Sequence, residues 1–255
     1  MSLPVDVSRV LIDAWRDGVC PPFDALEVLS EADAYHVQDL VAAALGWFPD
    51  DGTNAWKLGG SPGQLISAAR VPRQAIHATG WTAPAGYCHR IGIESELVVR
   101  LGRDLDEHAD LRVARDAIDA WIPAIELCDT RFDRGEHAHP LLRLADQQLN
   151  RALILGEPVD SAGDWPLQWV ELRVNGQRQA GAQGSHPFSD PLNSLPWLAR
   201  HAAARGTPLK AGDLIATGSW TGLYWAPPDA LIEMMFDGLG TVSMTSGANG
   251  IPSSS

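Results

Sequence analysis

Three glutamates occupy strongly apolar surroundings in this sequence. Glu94 and Glu96 lie in GIESELVVRL, and Glu126 lies in WIPAIELCDT. An ionised carboxylate inside an apolar core is disfavoured unless it is paired or coordinates a cation. In a strand, Glu94 and Glu96 point to one face with their roots about 7 Å apart, and Glu126 can approach from a neighbouring strand. The pattern predicts a divalent cation held by three carboxylates.

Oxygen-only ligands favour Mg²⁺, Mn²⁺ or Ca²⁺ over zinc, and three of them leave about three octahedral positions for water and substrate. The alternative is an ordinary strand in which Glu94 and Glu96 face solvent while Ile93, Ser95 and Leu97 face the core. Both interpretations remain open from this motif alone.

Lys57 is the only lysine in the first 200 residues, and it lies in AWKLGG between Trp56 and Leu58. A desolvated lysine with a lowered pKa can transfer protons. The loop that follows contains Gly59 and Ser61, and its glycines allow the backbone to approach a ligand. The alternative for Lys57 is a surface lysine near a turn.

Two other segments carry groups that bind ligands. In DLIATGSWTG, the amides and hydroxyls around Gly218 and Ser219 can hold a carboxylate or carbonyl, although a tight loop without a ligand fits equally well. His137 and His139 in DRGEHAHP form an HxH pattern without nearby thiols. That pattern is weak evidence for zinc, and a solvated loop is the simpler interpretation.

Composition restricts the partners of this protein. The sequence carries 32 acidic and 19 basic residues, a net charge of −13 that repels polyanions. No run approaches the roughly 18 apolar residues of a membrane span, and the N-terminal residues contain no basic leader followed by an apolar stretch. Three cysteines without a CxxC pair indicate a reducing compartment. We therefore expect a cytoplasmic protein that binds neither membranes nor nucleic acids.

The periodicity of the sequence predicts an α+β fold. Two helices are expected at the start, separated by the Cys-Pro-Pro tripeptide at 20–22, with Ser30 capping the second. Short strands dominate from about residue 55, interrupted by helical stretches over 111–120 and 194–206. Asn175-Gly176 predicts a type I′ hairpin turn. Because strands and helices do not alternate regularly, a doubly wound sheet is disfavoured.

These elements suggest a simple domain organisation. We expect a helical segment over residues 1–50 that packs on the main domain, since neither helix is apolar enough to stand alone. The main catalytic domain is predicted over 51–250, and residues 251–255 are predicted to be a frayed tail.

Several motifs, taken in order, resemble the fumarylacetoacetate hydrolase superfamily. They are WKLGGSPGQ, GIESELVVRLG, AIELCDTRF, LADQQLNRALILG, DPLNSLPWLARHAAARGTPLKAGDLIATGSWTG and FDGLGTVS. The helical AYHVQ and the lysine motif WKLG are similar to the branch of 2-keto-4-pentenoate hydratases and 4-oxalocrotonate decarboxylases. Order and spacing support the resemblance more than any single motif does.

This resemblance implies a mixed β-sheet rolled into a barrel-like sandwich with an N-terminal helical layer. It implies that Glu94, Glu96 and Glu126 hold Mg²⁺ or Mn²⁺, which chelates a short 2-oxo acid, and that Lys57 is the catalytic lysine beside it. Gly59, Ser61, Gly218 and Ser219 are the expected substrate-binding residues. A homo-oligomer is expected, with a complex with a related decarboxylase or hydratase as a further option.

The implied reaction is the hydration of a 2-hydroxy-2,4-dienoate to a 4-hydroxy-2-oxo acid in meta-cleavage degradation of aromatic compounds. Decarboxylation of the 4-oxalocrotonate type and C–C bond hydrolysis use the same enolate chemistry and remain alternatives. Hydrolysis needs an acid-base pair, for which Glu136 and His137 are the local candidates. An alternative of another class is a non-catalytic accessory subunit that binds a keto acid.

Two departures from the family pattern leave the reaction open. The segment ARVPRQAIHATGW contains no carboxylate, whereas members of the hydratase branch usually carry an aspartate after the lysine loop. Gln147 follows Asp146 at a position where the family commonly has asparagine. Both differences concern polar residues that position water or select the substrate.

Overall fold

Two long neighbouring strands form the centre of the molecule, which a computed structural model describes over residues 4–49, 53–160 and 163–248. Each spans 11 residues and is largely buried on both faces, as expected for strands covered on both sides. The strands are β1 (Ala55–Gly59), β2 (Ser67–Val71), β3 (Ile76–Ala78), β4 (Trp81–Thr82), β5 (Ile91–Leu101), β6 (Ile118–Cys128), β7 (Asn150–Leu155), β8 (Trp169–Val174), β9 (Gln177–Gln183), β10 (Leu214–Ala216), β11 (Tyr224–Ala226), β12 (Leu231–Phe236) and β13 (Gly240–Thr245). The α-helices are α1 (Pro4–Asp17), α2 (Glu31–Leu45), α3 (Leu111–Asp116), α4 (Pro140–Ala145) and α5 (Leu195–Ala204).

The strands form two sheets. The larger sheet has the order β2-β1-β10-β5-β6-β7-β3, with β11 also paired to β5, and it mixes parallel and antiparallel neighbours. The smaller sheet has the order β4-β13-β12-β8-β9, and its strands β12 and β13 pack against β6. The larger sheet curls into a half-barrel against the smaller one. The predicted α+β class and barrel-like sandwich are therefore confirmed.

The N-terminal helices have a core of their own. Val7 of α1 and Val37 of α2 are fully buried, and they belong to an apolar cluster that also contains Phe132 and Leu142. Helix α2 packs against α4, and α4 in turn contacts β2 of the larger sheet. The domain boundary near residue 50 stays a prediction. The predicted tail at 251–255 lies outside the described residues.

Local predictions were mostly confirmed. The Ser30 hydroxyl accepts a hydrogen bond from the amide of Asp33 at 3.1 Å and caps α2. Asn175 and Gly176 both have positive φ between β8 and β9, as a type I′ turn requires. The predicted helix over 111–120 is wrong in its second half, because the chain from Ile118 joins β6 and pairs with β5. The described part of the chain contains no helix that is long and apolar enough to span a membrane.

Candidate active site

Glu94 and Glu126 face each other across the central strand pair. The register aligns Glu94 with Glu126, and two residues further along it aligns Glu96 with Ala124. Since side chains alternate along a strand, all three carboxylates lie on one face of the sheet. Glu126 is fully buried, Glu96 is 1% exposed and Glu94 is partly exposed. The alternative of a solvent-facing strand is therefore wrong.

Strand β10 brings Lys57 to the same region, because it pairs with β1 on one side and with β5 on the other. The Lys57 Nζ lies 3.0 Å from Glu126 Oε1 and donates to the carbonyl oxygen of Gln148 at 3.3 Å. Its side chain is 6% exposed, so the surface-lysine alternative is also wrong. A buried charge of this kind needs a partner, and Glu126 supplies it.

The carboxylates determine the protonation state of Lys57. Burial alone lowers the pKa of Lys57, but Glu126 and Glu94 outweigh burial and leave this pKa above its ordinary value. The predicted lysine with a lowered pKa is therefore wrong, and Lys57 is an ammonium group. Burial raises the pKa of Glu94, and burial together with Glu126 and Glu94 raises the pKa of Glu96 well above its ordinary value.

The donor atoms of this cluster suit a divalent cation. Within the described residues, Glu96 Oε1 and Glu126 Oε2 are buried without a hydrogen-bond partner, which costs about 1–3 kcal/mol for each atom. Ligand atoms of Glu94, Glu126 and Cys128 lie within 4.8 Å of one another, whereas Glu96 is outside that group. Because oxygen atoms predominate, the set fits a hard divalent cation.

Cys128 lies beside the carboxylate cluster as a thiol rather than a thiolate. Its Sγ lies 3.8 Å from Glu94 Oε2, within reach of a weak S–H hydrogen bond. Burial, followed by Glu126 and Glu94, raises the pKa of Cys128 well above its ordinary value. Only the strand register shows that Cys128 ends beside the carboxylates.

The turn after β10 holds Glu96 in place. The Gly218 amide donates to Glu96 Oε2 at 2.7 Å, so this amide is already engaged. Gly218 has a φ of 129°, a conformation that favours glycine. The neighbouring Ser219 hydroxyl is buried and has no partner among the described residues. Gly218 and Ser219 are the two predicted substrate-binding residues in this turn, and only Ser219 offers a polar atom without a partner in the described part of the chain.

His186 supports this turn from behind. Its Nδ1 accepts a hydrogen bond from the Phe188 amide at 3.2 Å, so the proton of the neutral ring lies on Nε2. Nε2 therefore donates to the carbonyl oxygen of Thr217, 3.1 Å away. Burial lowers the pKa of His186 to about 4 and keeps the ring neutral. The imidazole thereby fixes the Thr217–Gly218 peptide group, whose N–H donates to Glu96.

A cleft of about 400 Å³ opens beside Lys57. Gly59 lines it, and Gln64 and Gln148 border it as well. Ser61 is partly exposed and is not among the residues that line the cleft; its carbonyl accepts from the Gln64 amide at 3.0 Å. The structure therefore places Gly59 next to Lys57 and keeps the Ser61 side chain apart from it.

The contacts of Gln148 and Asn150, in the segment between α4 and β7, with Lys57 and Glu126 were not predicted from the sequence. Asn150 Nδ2 donates to Glu126 Oε1 at 2.9 Å, and the Gln148 carbonyl receives the Lys57 ammonium. Gln147, Gln148 and Leu149 all have positive φ, a costly conformation for residues other than glycine. The backbone strain coincides with contacts to the carboxylate cluster, and the sequence LADQQLN gives no signal of it.

Behind this segment lies a buried ion pair. Arg131 Nε donates to Asp146 Oδ1 at 2.5 Å, and its Nη1 donates to the Asn150 carbonyl at 2.9 Å. Both side chains are at most 3% exposed. Burial raises the pKa of Asp146 to about 6, against the opposing effect of Arg131. The pair connects the irregular segment to the residues after β6.

The candidates for hydrolysis lie in a different environment. Glu136 forms an ion pair with Arg90 and lies 3.5 Å from His137, whose side chain is 74% exposed. His139 Nδ1 accepts from the Leu141 amide at the start of α4. Among the described residues, the only group of three close metal-ligating side chains excludes these histidines. These contacts agree better with a solvated loop at His137 and His139 than with a zinc site.

Comparison with known proteins supports these observations. The model of the fumarylacetoacetate hydrolase C-terminal family matches residues 64–245. A 2-keto-4-pentenoate hydratase of Paraburkholderia xenovorans is 30% identical over 63% of this chain and 61% of the relative's own length. The chain thus spans about three fifths of that relative. The 2-keto-4-pentenoate hydratase 1 of Dechloromonas aromatica is 28% identical over 92% of this chain and 94% of the relative.

A solved structure has the same fold. A 4-oxalocrotonate decarboxylase of Pseudomonas putida G7, complexed with magnesium and adipate, superposes with a TM-score of 0.83 at 22% identity. The match covers 95% of this chain and 97% of that one. The likeness therefore extends over the N-terminal helical layer as well as the two sheets.

Proposed function

This chain belongs to the fumarylacetoacetate hydrolase family, and from that premise we propose that it is a metal-dependent lyase that hydrates a short 2-hydroxy-2,4-dienoate. The product is a 4-hydroxy-2-oxo acid, as in the meta-cleavage degradation of aromatic compounds. The named hydratases among its relatives support this reaction. The buried cluster of Lys57, Glu96 and Glu126 carries the proposal, because it combines unpaired carboxylate oxygens with a proton donor.

Glu94, Glu96 and Glu126 would hold the divalent cation, Mg²⁺ or Mn²⁺. The unpartnered oxygens of Glu96 and Glu126 support this assignment. Bound there, such a cation supplies Lewis-acid polarisation of the 2-oxo group. Asn150 and the Gly218 amide each donate to one of these carboxylates and limit its rotation.

Lys57 would deliver a proton to the substrate. Its raised pKa keeps the Nζ protonated at neutral pH, so it acts first as an acid. The cleft beside it has room for a dienoate, with Gly59 allowing close approach of the chain. The Ser219 hydroxyl is the proposed partner for a substrate oxygen, and Gly218 acts through Glu96. Ser61 is proposed to contact only substrates that extend out of the cleft.

The proposal is tested with purified protein, Mg²⁺ or Mn²⁺, and 2-hydroxypenta-2,4-dienoate, by following the loss of the conjugated chromophore. Glu126→Gln should weaken Mn²⁺ binding, measured from the free-ion paramagnetic resonance signal, by about tenfold or more. Lys57→Met should retain Mn²⁺ and lower turnover by about 10²–10⁴-fold. Glu171→Gln, a partly buried glutamate paired with Arg173 in the smaller sheet, is the matched control and should change neither quantity.

Other outcomes distinguish the alternatives. Release of CO₂ from 4-oxalocrotonate without hydration would identify a decarboxylase. Cleavage of a diketo acid that depends on His137 would identify a C–C hydrolase. Mn²⁺ binding without turnover of any dienoate or oxalocrotonate would favour a non-catalytic accessory subunit. Equal Mn²⁺ affinity of the unmodified protein and Glu126→Gln would refute the ligand assignment itself.

A further inference from the structure

A second cavity lies on the opposite face of the β1–β2 hairpin from Lys57. It has a volume of about 460 Å³ and is bordered by α2, by the chain after α2 and by the end of α5. Trp56 and Arg70 are direct partners across the hairpin and line it, whereas Lys57 pairs with Ala69. Because strand side chains alternate, this cavity is separate from the carboxylate cluster.

Four side chains that line this cavity have buried polar atoms without a partner among the described residues. They are Trp56 Nε1, Arg70 Nε, Gln147 Oε1 and His201 Nε2. Trp56 and Gln147 are 2% and 3% exposed. Buried polar atoms are normally hydrogen-bonded, so four of them around one space indicate a missing partner. Trp56 and Arg70 can only donate, and therefore that partner must offer acceptor atoms.

Two arginines and one aspartate line the cavity. Arg70 lies inside, Arg205 and Asp39 form an ion pair of 2.5 Å at the rim, and Asp39 is largely exposed. Burial lowers the pKa of His201 to about 4, so this ring is neutral. Asp39 and, more weakly, Asp213 act on Arg70, whose Nη2 also donates to the Asn54 side chain. The Asp213 carboxylate accepts hydrogen bonds from the Asn54 and Lys210 amides. The Arg70 guanidinium is thus the innermost charge on the lining.

The walls of the cavity are aromatic. Trp47, Phe48 and Trp56 line it, and the Arg70 guanidinium lies 3.8 Å from the centre of the Phe48 ring. Such walls suit a flat, apolar group, while a guanidinium and an indole N–H suit a carboxylate. The volume lies within the range of small-molecule sites.

We propose that this cavity is a second binding site, specific for a small carboxylate with a planar apolar body and independent of the metal site. The carboxylate accepts hydrogen bonds from Arg70 Nε and Trp56 Nε1, and the planar body packs against the aromatic wall that Trp47 and Phe48 form in edge-to-face contact. The side-chain amide oxygen of Gln147, Oε1, can accept a hydrogen bond from a hydroxyl or amine substituent on the ligand. Binding in this cavity is independent of the reaction proposed at Lys57.

Benzoate is the probe, and benzamide is its uncharged counterpart. Isothermal titration calorimetry should find one benzoate per chain with equal affinity in Mg²⁺ and in EDTA, and benzamide should bind about tenfold more weakly or worse. Lys57→Met should bind benzoate as the unmodified protein does. Arg70→Gln and Trp56→Phe should each weaken benzoate binding by about tenfold.

Arg112→Gln, an exposed arginine on α3, is the control for a change of net charge and should have no effect. Trp56→Phe keeps the aromatic packing, so it remains informative if Arg70→Gln fails to fold. Benzoate binding that disappears in EDTA or in Lys57→Met would place the ligand at the metal site and overturn the proposal. Absence of benzoate binding, or unchanged affinity in Trp56→Phe, would overturn it as well.

Discussion

Replacing His186 with glutamine should make the stability of this protein less sensitive to acid. The ring is buried and neutral, donating to the Thr217 carbonyl and accepting from the Phe188 amide. Glutamine can make similar hydrogen bonds but cannot be protonated in this range. The substitution therefore removes the titration of one side chain while preserving most of its polarity.

The expected magnitude follows from the pKa of His186, which burial lowers from 6.5 to about 4. Between these values the unfolded chain binds a proton that the folded chain does not, so the free energy of unfolding falls as the pH falls. This contribution is fully present above pH 6.5 and is lost progressively towards pH 4. Between pH 7 and pH 5, His186 alone should account for a loss of about 2 kcal/mol.

Urea unfolding followed by tryptophan fluorescence, at pH 7 and pH 5 with EDTA present, measures the difference. His186→Gln should lose about 2 kcal/mol less than the unmodified protein over this interval. His36→Gln, an exposed histidine of α2, is the control and should behave as the unmodified protein does. His201 and Asp146 also titrate, but they are common to all three proteins and cancel. Equal acid sensitivity of His186→Gln and the unmodified protein would refute the reasoning.

Two substitutions should affect the frame of the site. Asp146→Asn leaves the buried Arg131 charge without its partner. It should lower the free energy of unfolding, measured in urea, by about 3–5 kcal/mol. A loss below about 1 kcal/mol would contradict this prediction. Gly218→Ala places a Cβ 3.1 Å from Pro187 Cγ at a φ of 129°. It should cost about 1–3 kcal/mol and weaken Mn²⁺ binding through Glu96, and an unchanged melting temperature would show that the turn tolerates alanine.

The sequence was most informative where one residue type met a strong local pattern. Glu94 and Glu96 share a face because they are two apart in an apolar strand. Ser30 caps α2 because a serine hydroxyl just before a helix can accept a hydrogen bond from an amide of the first turn. The extent of α3 was overestimated because the residues from Ile118 are drawn into β6 by pairing with β5. Tertiary pairing overrides helix propensity in such a case.

Properties that depend on the pairing of distant strands were not predictable. The pKa of Lys57 rises rather than falls because Glu126, 69 positions later in the sequence, lies 3.0 Å from its Nζ. The role of Asn150 depends on an irregular segment whose φ values no sequence pattern indicated. The second cavity arises only when α2 and α5 pack over the same hairpin.

The ion pair between Lys57 and Glu126 bears on whether the protein needs a metal ion in order to fold. Grouping Glu94, Glu96 and Glu126 on one face opposes folding, but the raised pKa of Glu96 favours its neutral form and the Lys57 ammonium group neutralises Glu126. We therefore expect the chain to fold without a metal ion. Lys57 is thus an internal counter-ion of Glu126, and we expect the proposed metal binding to follow folding rather than to be a condition for it.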